Sequence, residues 1–163
     1  MDAAAELAGF FTAHAIWCVA EGETLVPIYA YADGSEKPTM ERLLHNKLEE
    51  GVEAGRRRLE ETSPGIDAKV LIFDGRITLS GTKMDALIVE FRSYASPPGK
   101  VIVAIPYTPH QGRQRFAVHR PKVLETSEHL RDAVAEVFEF FFEGVRRHEQ
   151  GSALWNDHLD ESK

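Results

Sequence analysis

Between residues 69 and 119, short apolar and β-branched runs follow one another with only brief turn sequences between them. Strands this close in sequence pair antiparallel, because a parallel pair needs a crossover of a dozen or more residues. The predicted strands cover residues 69–73, 76–80, 84–94, 100–107 and 113–119. Asp74-Gly75, favoured for a two-residue hairpin, would join the first two. The middle of the chain is therefore predicted to form a mainly antiparallel sheet.

Helical periodicity lies on both sides of this segment. Apolar residues recur every three to four positions in residues 3–19 and again from Ser127 to Arg147, where Gly151 is the expected stop. A long helix is predicted from Pro38 or Thr39 to Glu61.

A further strand is predicted at residues 24–31, where Pro27 indicates an edge position because proline cannot donate to a β-ladder. Its connection to the next strand runs through the long helix, a crossover compatible with one parallel pair.

These elements predict an α+β fold, with a mainly antiparallel sheet of five to six strands and three helices packed on one face. The element order is helix, strand, helix, five strands, helix. Residues 1–151 are expected to form a single α+β domain, and residues 152–163 a polar C-terminal tail.

Composition narrows the class of protein. The chain has 163 residues, of which 43% are apolar, and a net charge of −7. No apolar run approaches the length of a membrane span, and no basic region precedes an apolar stretch at the N-terminus. Cys18 is the only cysteine, which excludes an internal disulfide. We expect a soluble cytoplasmic protein without membrane contact, bound metal or cofactor.

Strand alternation predicts a polar face on the sheet that is richer in arginine than in acidic residues. Its candidate ligand-binding residues are Glu90, Arg92, Tyr94, Arg113, Arg115 and His119. One interpretation is an ordinary solvated face on which Glu90 pairs with an arginine. A second is a site where several guanidinium groups hold a carboxylate or phosphate. A third is a face covered by another copy of the chain.

The segment from Tyr107 to Arg115 is the most site-like loop, since it concentrates hydrogen-bond donors around Gly112. A single glycine followed by a strand is a weak phosphate-binding signal, because the phosphate motifs need several glycines and a helix. A hairpin turn with solubilising arginines is the simpler interpretation.

Nucleic acid is not an expected partner. Residues 64–120 carry 8 basic and 4 acidic side chains, but the rest of the chain is acidic. The run Arg56–Arg58 lies among glutamates, a pattern typical of ion pairs on a helix surface.

Two features favour self-association. Gly51 and Gly55 lie on the packing face of the long helix and indicate a close approach, either to its own sheet or to another helix. Phe140, Phe141 and Phe142 are consecutive, so they cannot all face one narrow core.

No catalytic set emerges, although catalysis is left open. His14 and Cys18 fall on the apolar side of the first helix, where burial is the simpler interpretation. The leading hypothesis is a non-catalytic binding or assembly module, homodimeric or with a protein partner. The alternative is an enzyme or sensor that binds a small anion on the arginine-rich face. A third is a module that binds a peptide by strand addition beside Pro27.

Overall fold

The apolar runs of the sequence form one antiparallel sheet with helices on both sides. The computed structural model describes all 163 residues. The helices are α1 (Asp2–Val19), α2 (Leu48–Glu60), α3 (Val134–Arg147) and α4 (Glu149–Asp157), with a 3₁₀ segment at Glu128–Ala133. The strands are β1 (Ile28–Ala32), β2 (Thr39–Arg42), β3 (Ala68–Leu79), β4 (Thr82–Ser93), β5 (Gly99–Thr108), β6 (Ala117–Val118) and β7 (Lys122–Thr126). The α+β prediction is confirmed. None of the helices is both long and apolar enough to cross a membrane.

The sheet has the order β2-β1-β3-β4-β5, and both β6 and β7 pair with β5. Alternate residues of the central strands build the main core against α1, α3 and α4, as in the cross-strand pairs Val70–Phe91 and Ile72–Val89. Helix α1 crosses α3 very closely. A Cβ on Gly9 would lie 1.7 Å from the Phe141 carbonyl oxygen, so only glycine fits there.

The opposite face of the sheet carries α2, and the expectation that all helices share one face is wrong. Leu59 of α2 is fully buried with Leu71 of β3 and with Tyr29 of β1 in a second, smaller core. A Cβ on Gly55 would lie 2.4 Å from a Leu71 methyl carbon. Gly55 therefore serves close packing on the protein's own sheet, and Gly51 lies against the Leu43 backbone in the loop that precedes α2.

The three consecutive phenylalanines are also used within the chain. Phe141 is fully buried, and Phe140 and Phe142 pack against the main core. The α2 glycines and the three phenylalanines, which favoured a homodimer, thus pack against other parts of the same chain. The dimer stays a prediction.

The segment predicted to begin the long helix is a strand. Residues 39–42 form β2, which pairs antiparallel with β1, while α2 begins only at Leu48. Strand β1 lies between β2 and β3 and is antiparallel to both, so the predicted edge position and parallel pair are wrong. Pro27 lies just before β1, where it needs no ladder hydrogen bond.

The predicted hairpin at Asp74-Gly75 is also wrong, because β3 runs through both residues. The turn lies at Ser80-Gly81, where φ is +49° and +79°. Positive φ at both central residues is the geometry of a tight type I′ hairpin. In the resulting β3–β4 register Arg76 pairs with Asp85 and lies on the same face as Ile72.

The strands and helix near the C-terminus also differ from the prediction. The strand predicted at 113–119 is reduced to β6, and β7 was not predicted. Gly151 does not stop a helix but lies buried inside α4. Residues 152–157 belong to that helix and Trp155 is 3% exposed, so the polar tail predicted from Ser152 is largely packed structure.

Candidate functional site

The six candidate ligand-binding residues lie in three separate places. Glu90 pairs with Ile102 across β4 and β5, whereas Val118, next to His119, pairs with Tyr107. These positions are five residues apart along β5, which is about 16 Å at the rise of a strand. The predicted arginine-rich site on one sheet face is therefore not formed.

Glu90, Arg92 and Tyr94 surround the C-terminal end of α2. The Arg92 guanidinium donates hydrogen bonds to Glu90 at 2.6 Å and to Glu60 at 2.8 Å. The hydrogen bond from Arg92 lowers the pKa of the Glu60 carboxyl. Two carboxylates thus neutralise Arg92, and its guanidinium already has hydrogen-bond partners within the chain. The pairing with Glu90 is the one that the interpretation as an ordinary solvated face predicts.

The same end of α2 is capped by two further side chains. The Lys69 ammonium donates to the carbonyl oxygens of Arg58 and Glu61, and the Tyr94 hydroxyl donates to that of Leu59. A cation at a helix C-terminus is favoured by the helix dipole. Lys69 is only 1% exposed, and burial lowers its pKa. We call Lys69, Glu90, Arg92 and Tyr94 the α2-capping cluster; its role is structural.

His119 also has hydrogen-bond partners within the chain. Its ring is buried, with Nε2 2.9 Å from the Thr108 hydroxyl and Nδ1 3.0 Å from the Asp160 carbonyl oxygen. Both nitrogens have partners within the chain, and the ring fastens the C-terminal segment to β5.

Arg113 and Arg115 lie on the exposed loop between β5 and β6, and neither takes part in any of the chain's salt bridges. Arg115, but not Arg113, lines a cavity of about 570 Å³. The cavity lies between this loop, the end of α1 and one side of α4, and we call it the α1–α4 cleft. It is lined by Trp17, Ala20, Glu21, His110, Arg115, Phe116, Gln150, Leu154 and His158.

The cleft combines apolar and basic surface. Trp17 is 46% exposed although it is one of the largest apolar side chains. Phe116 is buried and meets the His158 ring edge-to-face, with 5.7 Å between the ring centroids. Arg115 and two imidazoles add hydrogen-bond donors, and Glu21 is the only acidic side chain in the lining.

The sequence identified the loop that carries Arg115 but missed the rest of the cleft. Trp17 lies in the predicted first helix without any feature that marks it as part of a site, and His158 lies in the segment expected to be a tail. Only the folding back of α4 brings them together, and no local pattern signals that. An isolated histidine in a polar C-terminal segment carries no positional information.

The structure offers little support for metal or thiol chemistry. No cluster of three or more histidine, cysteine or acidic side chains has metal-binding geometry. Cys18 and His14 line a smaller cavity of about 210 Å³ with Arg42. Burial raises the pKa of the Cys18 thiol, which keeps it in the less nucleophilic neutral form.

Comparison with known proteins identifies no relative. No protein family model matches the sequence, and no curated protein or solved structure is significantly similar to the chain. The function is therefore argued from the geometry of the α1–α4 cleft.

Proposed function

We propose that the protein is a non-catalytic binding module that holds a small organic anion in the α1–α4 cleft. The observation that carries this proposal is the position of Arg115, a guanidinium without a salt bridge that lines a cavity together with the half-exposed Trp17. The ligand it fits has a carboxylate, sulfonate or phosphate at one end and a flat apolar group at the other.

Each part of the cleft matches one part of such a ligand. A guanidinium presents paired N–H donors that fit the oxygens of a carboxylate or phosphate. Trp17 and Leu154 supply apolar surface for a ring or short chain. A volume of about 570 Å³ is within the range of small-molecule sites.

The loop supplies its own matched control. Arg113 and Arg115 are both exposed and lie two residues apart, but only Arg115 lines the cleft. A cleft site requires that Arg115→Ala weakens binding and Arg113→Ala does not. General attraction of anions to a basic loop predicts equal losses for the two variants.

The test uses benzenesulfonate and inorganic sulfate as probes, with binding followed by chemical shifts of the Trp17 indole N–H. We expect benzenesulfonate to bind more tightly than sulfate. Arg115→Ala should weaken it at least tenfold, the size expected for a hydrogen bond to a charged group. Arg113→Ala should stay within about twofold, since it loses only screened long-range attraction. No perturbation of Trp17, or equal losses in the two variants, would refute the proposal.

A further inference from the structure

A pair of histidines beside the α1–α4 cleft joins α1 to the beginning of α4. His14 Nδ1 lies 3.2 Å from His148 Nε2, and His148 is 7% exposed. On its other side, His148 Nδ1 accepts a hydrogen bond of 2.9 Å from the Gly151 backbone N–H. His148 is thus the N-cap of α4 and connects that helix to α1 through its ring.

This arrangement determines where the protons lie. His148 Nδ1 must carry a lone pair in order to accept from Gly151, so the ring proton of His148 is on Nε2. That proton is donated to His14 Nδ1, which leaves the proton of His14 on Nε2. Both rings are therefore neutral, and a proton added to either one breaks one of the two hydrogen bonds.

The surroundings favour the neutral pair. Burial lowers the pKa of both rings, and the neighbouring His148 and Arg42 lower that of His14 further. The charged and titratable groups around the pair come from four elements: Cys18 of α1, Glu23 of the following loop, Arg42 of β2, and Arg147 and Glu149 at the α3–α4 junction. Arg147 is paired with Glu6, and no carboxylate forms a salt bridge with either imidazole. No anion is in place to stabilise an imidazolium.

The pair is continuous with the proposed ligand site. Trp17 lines the cleft, and its ring centroid lies 5.8 Å from the centroids of both histidine rings. Helix α4, which His148 caps, provides Gln150 and Leu154 to the same cleft, and His158 follows directly at its C-terminal end. A change at the start of α4 therefore alters one wall of the site.

We propose that the His14–His148 pair is a proton-responsive latch: proton uptake uncaps α4, loosens its first turn and lowers the affinity of the α1–α4 cleft for its ligand. Only the effect on affinity rests on the proposed function, because the latch itself is a property of the ligand-free protein.

Ring ¹⁵N NMR of ligand-free protein tests the proton assignment. At pH 7.5 both His14 and His148 should show protonated Nε2 and unprotonated Nδ1. Both should titrate below the ordinary imidazole value of about 6.5, because burial lowers the pKa of each ring. A proton on His148 Nδ1 at pH 7.5, or titration of both rings at or above the ordinary imidazole value of about 6.5, would overturn the latch.

Amide hydrogen exchange tests the mechanical consequence. After correction for the intrinsic rate, protection at residues 151–154 should fall roughly fivefold between pH 7.5 and 5.5, the size expected for losing one helix N-cap. His148→Asn keeps a capping oxygen that does not titrate, so it should retain protection at both pH values. His45→Gln should behave like the wild type. Equal pH responses in wild type and His148→Asn would refute the proposal.

Benzenesulfonate binding separates the latch from the site, because the charge of this probe is constant over the range used. The cleft contains two further imidazoles, so the decisive comparison is made between proteins at one pH, 5.5. His148→Asn should bind at least threefold more tightly than the wild type there, and equally at pH 7.5. Absence of binding at either pH refutes the proposed function alone, whereas equal affinities at pH 5.5 refute the latch's control of the site.

Discussion

The α2-capping cluster and the α1–α4 cleft both contain the arginines and aromatic residues that suggest a binding site, but they use them differently. In the cluster, Arg92 is held by two carboxylates and Lys69 by two backbone carbonyls. In the cleft, Arg115 has no salt bridge and Trp17 is 46% exposed. Polar groups that are satisfied within the chain stabilise the fold, whereas unsatisfied ones beside a cavity are free for a ligand.

The largest effect is expected at Lys69. Lys69→Ala removes both hydrogen bonds to the end of α2 and leaves two carbonyl oxygens without a partner. We expect the free energy of unfolding to fall by about 3 kcal/mol, measured by urea denaturation. Lys83→Ala, at an exposed position near the β3–β4 turn, should change it by less than about 0.5 kcal/mol. A loss at Lys69 no larger than this control would show that the cluster does not hold α2.

The comparison is sharpest between Arg92→Ala and Arg115→Ala. Arg92→Ala leaves Glu90, which is 6% exposed, as a buried carboxylate without its cation. The unfolding free energy should fall by about 2 kcal/mol, the size expected for hydrogen bonds to a charged group, while benzenesulfonate affinity is unchanged. Arg115→Ala should give the reverse: stability within about 0.5 kcal/mol of the wild type and weaker binding. If both variants lose stability equally, the distinction between the two regions is wrong.

Sequence alternation predicted the α+β class and most of the strands, because burial on one face imposes a two-residue period over a whole strand. It failed where one local signal admits two structures. Asp74-Gly75 has the composition of a hairpin turn, yet β3 continues through it to Leu79 and the turn lies at Ser80-Gly81. Residues 39–42 were predicted to be helical, because no local feature of the sequence shows that β1 pairs with a second strand on the side away from β3.

The cleft was only partly accessible to sequence reasoning for a related reason. Arg115 was identified from its loop, where donors are concentrated in sequence. Trp17 and His158 are separated by 141 positions, and their proximity depends on how α4 packs against α1. The hydrogen bond between His14 and His148 is non-local in the same way. Residues brought together only by helix packing leave no periodic trace in a single sequence.

Asp74 represents a third situation, in which a half-buried carboxylate has a single side-chain hydrogen-bond partner, and it gives the smallest effect. Its carboxylate accepts a hydrogen bond of 2.8 Å from the Tyr107 hydroxyl, while burial raises its pKa. A raised folded-state pKa means that the carboxyl contributes stability below its unfolded pKa of about 3.9, and that this contribution is lost as the pH rises through the folded value. At neutral pH the ionised carboxylate is therefore destabilising.

Asp74→Asn removes that charge and keeps an oxygen that accepts from Tyr107. The variant should unfold at higher urea concentration than the wild type at pH 7, and the difference should shrink as the pH approaches 4. Tyr107→Phe is the matched control, since it removes the donor and should destabilise the protein at both pH values. If Asp74→Asn is instead less stable than the wild type at pH 7, the hydrogen bond to the ionised carboxylate outweighs the free-energy cost of burying that charge. Asp74 would then belong with the fully hydrogen-bonded groups of the α2-capping cluster.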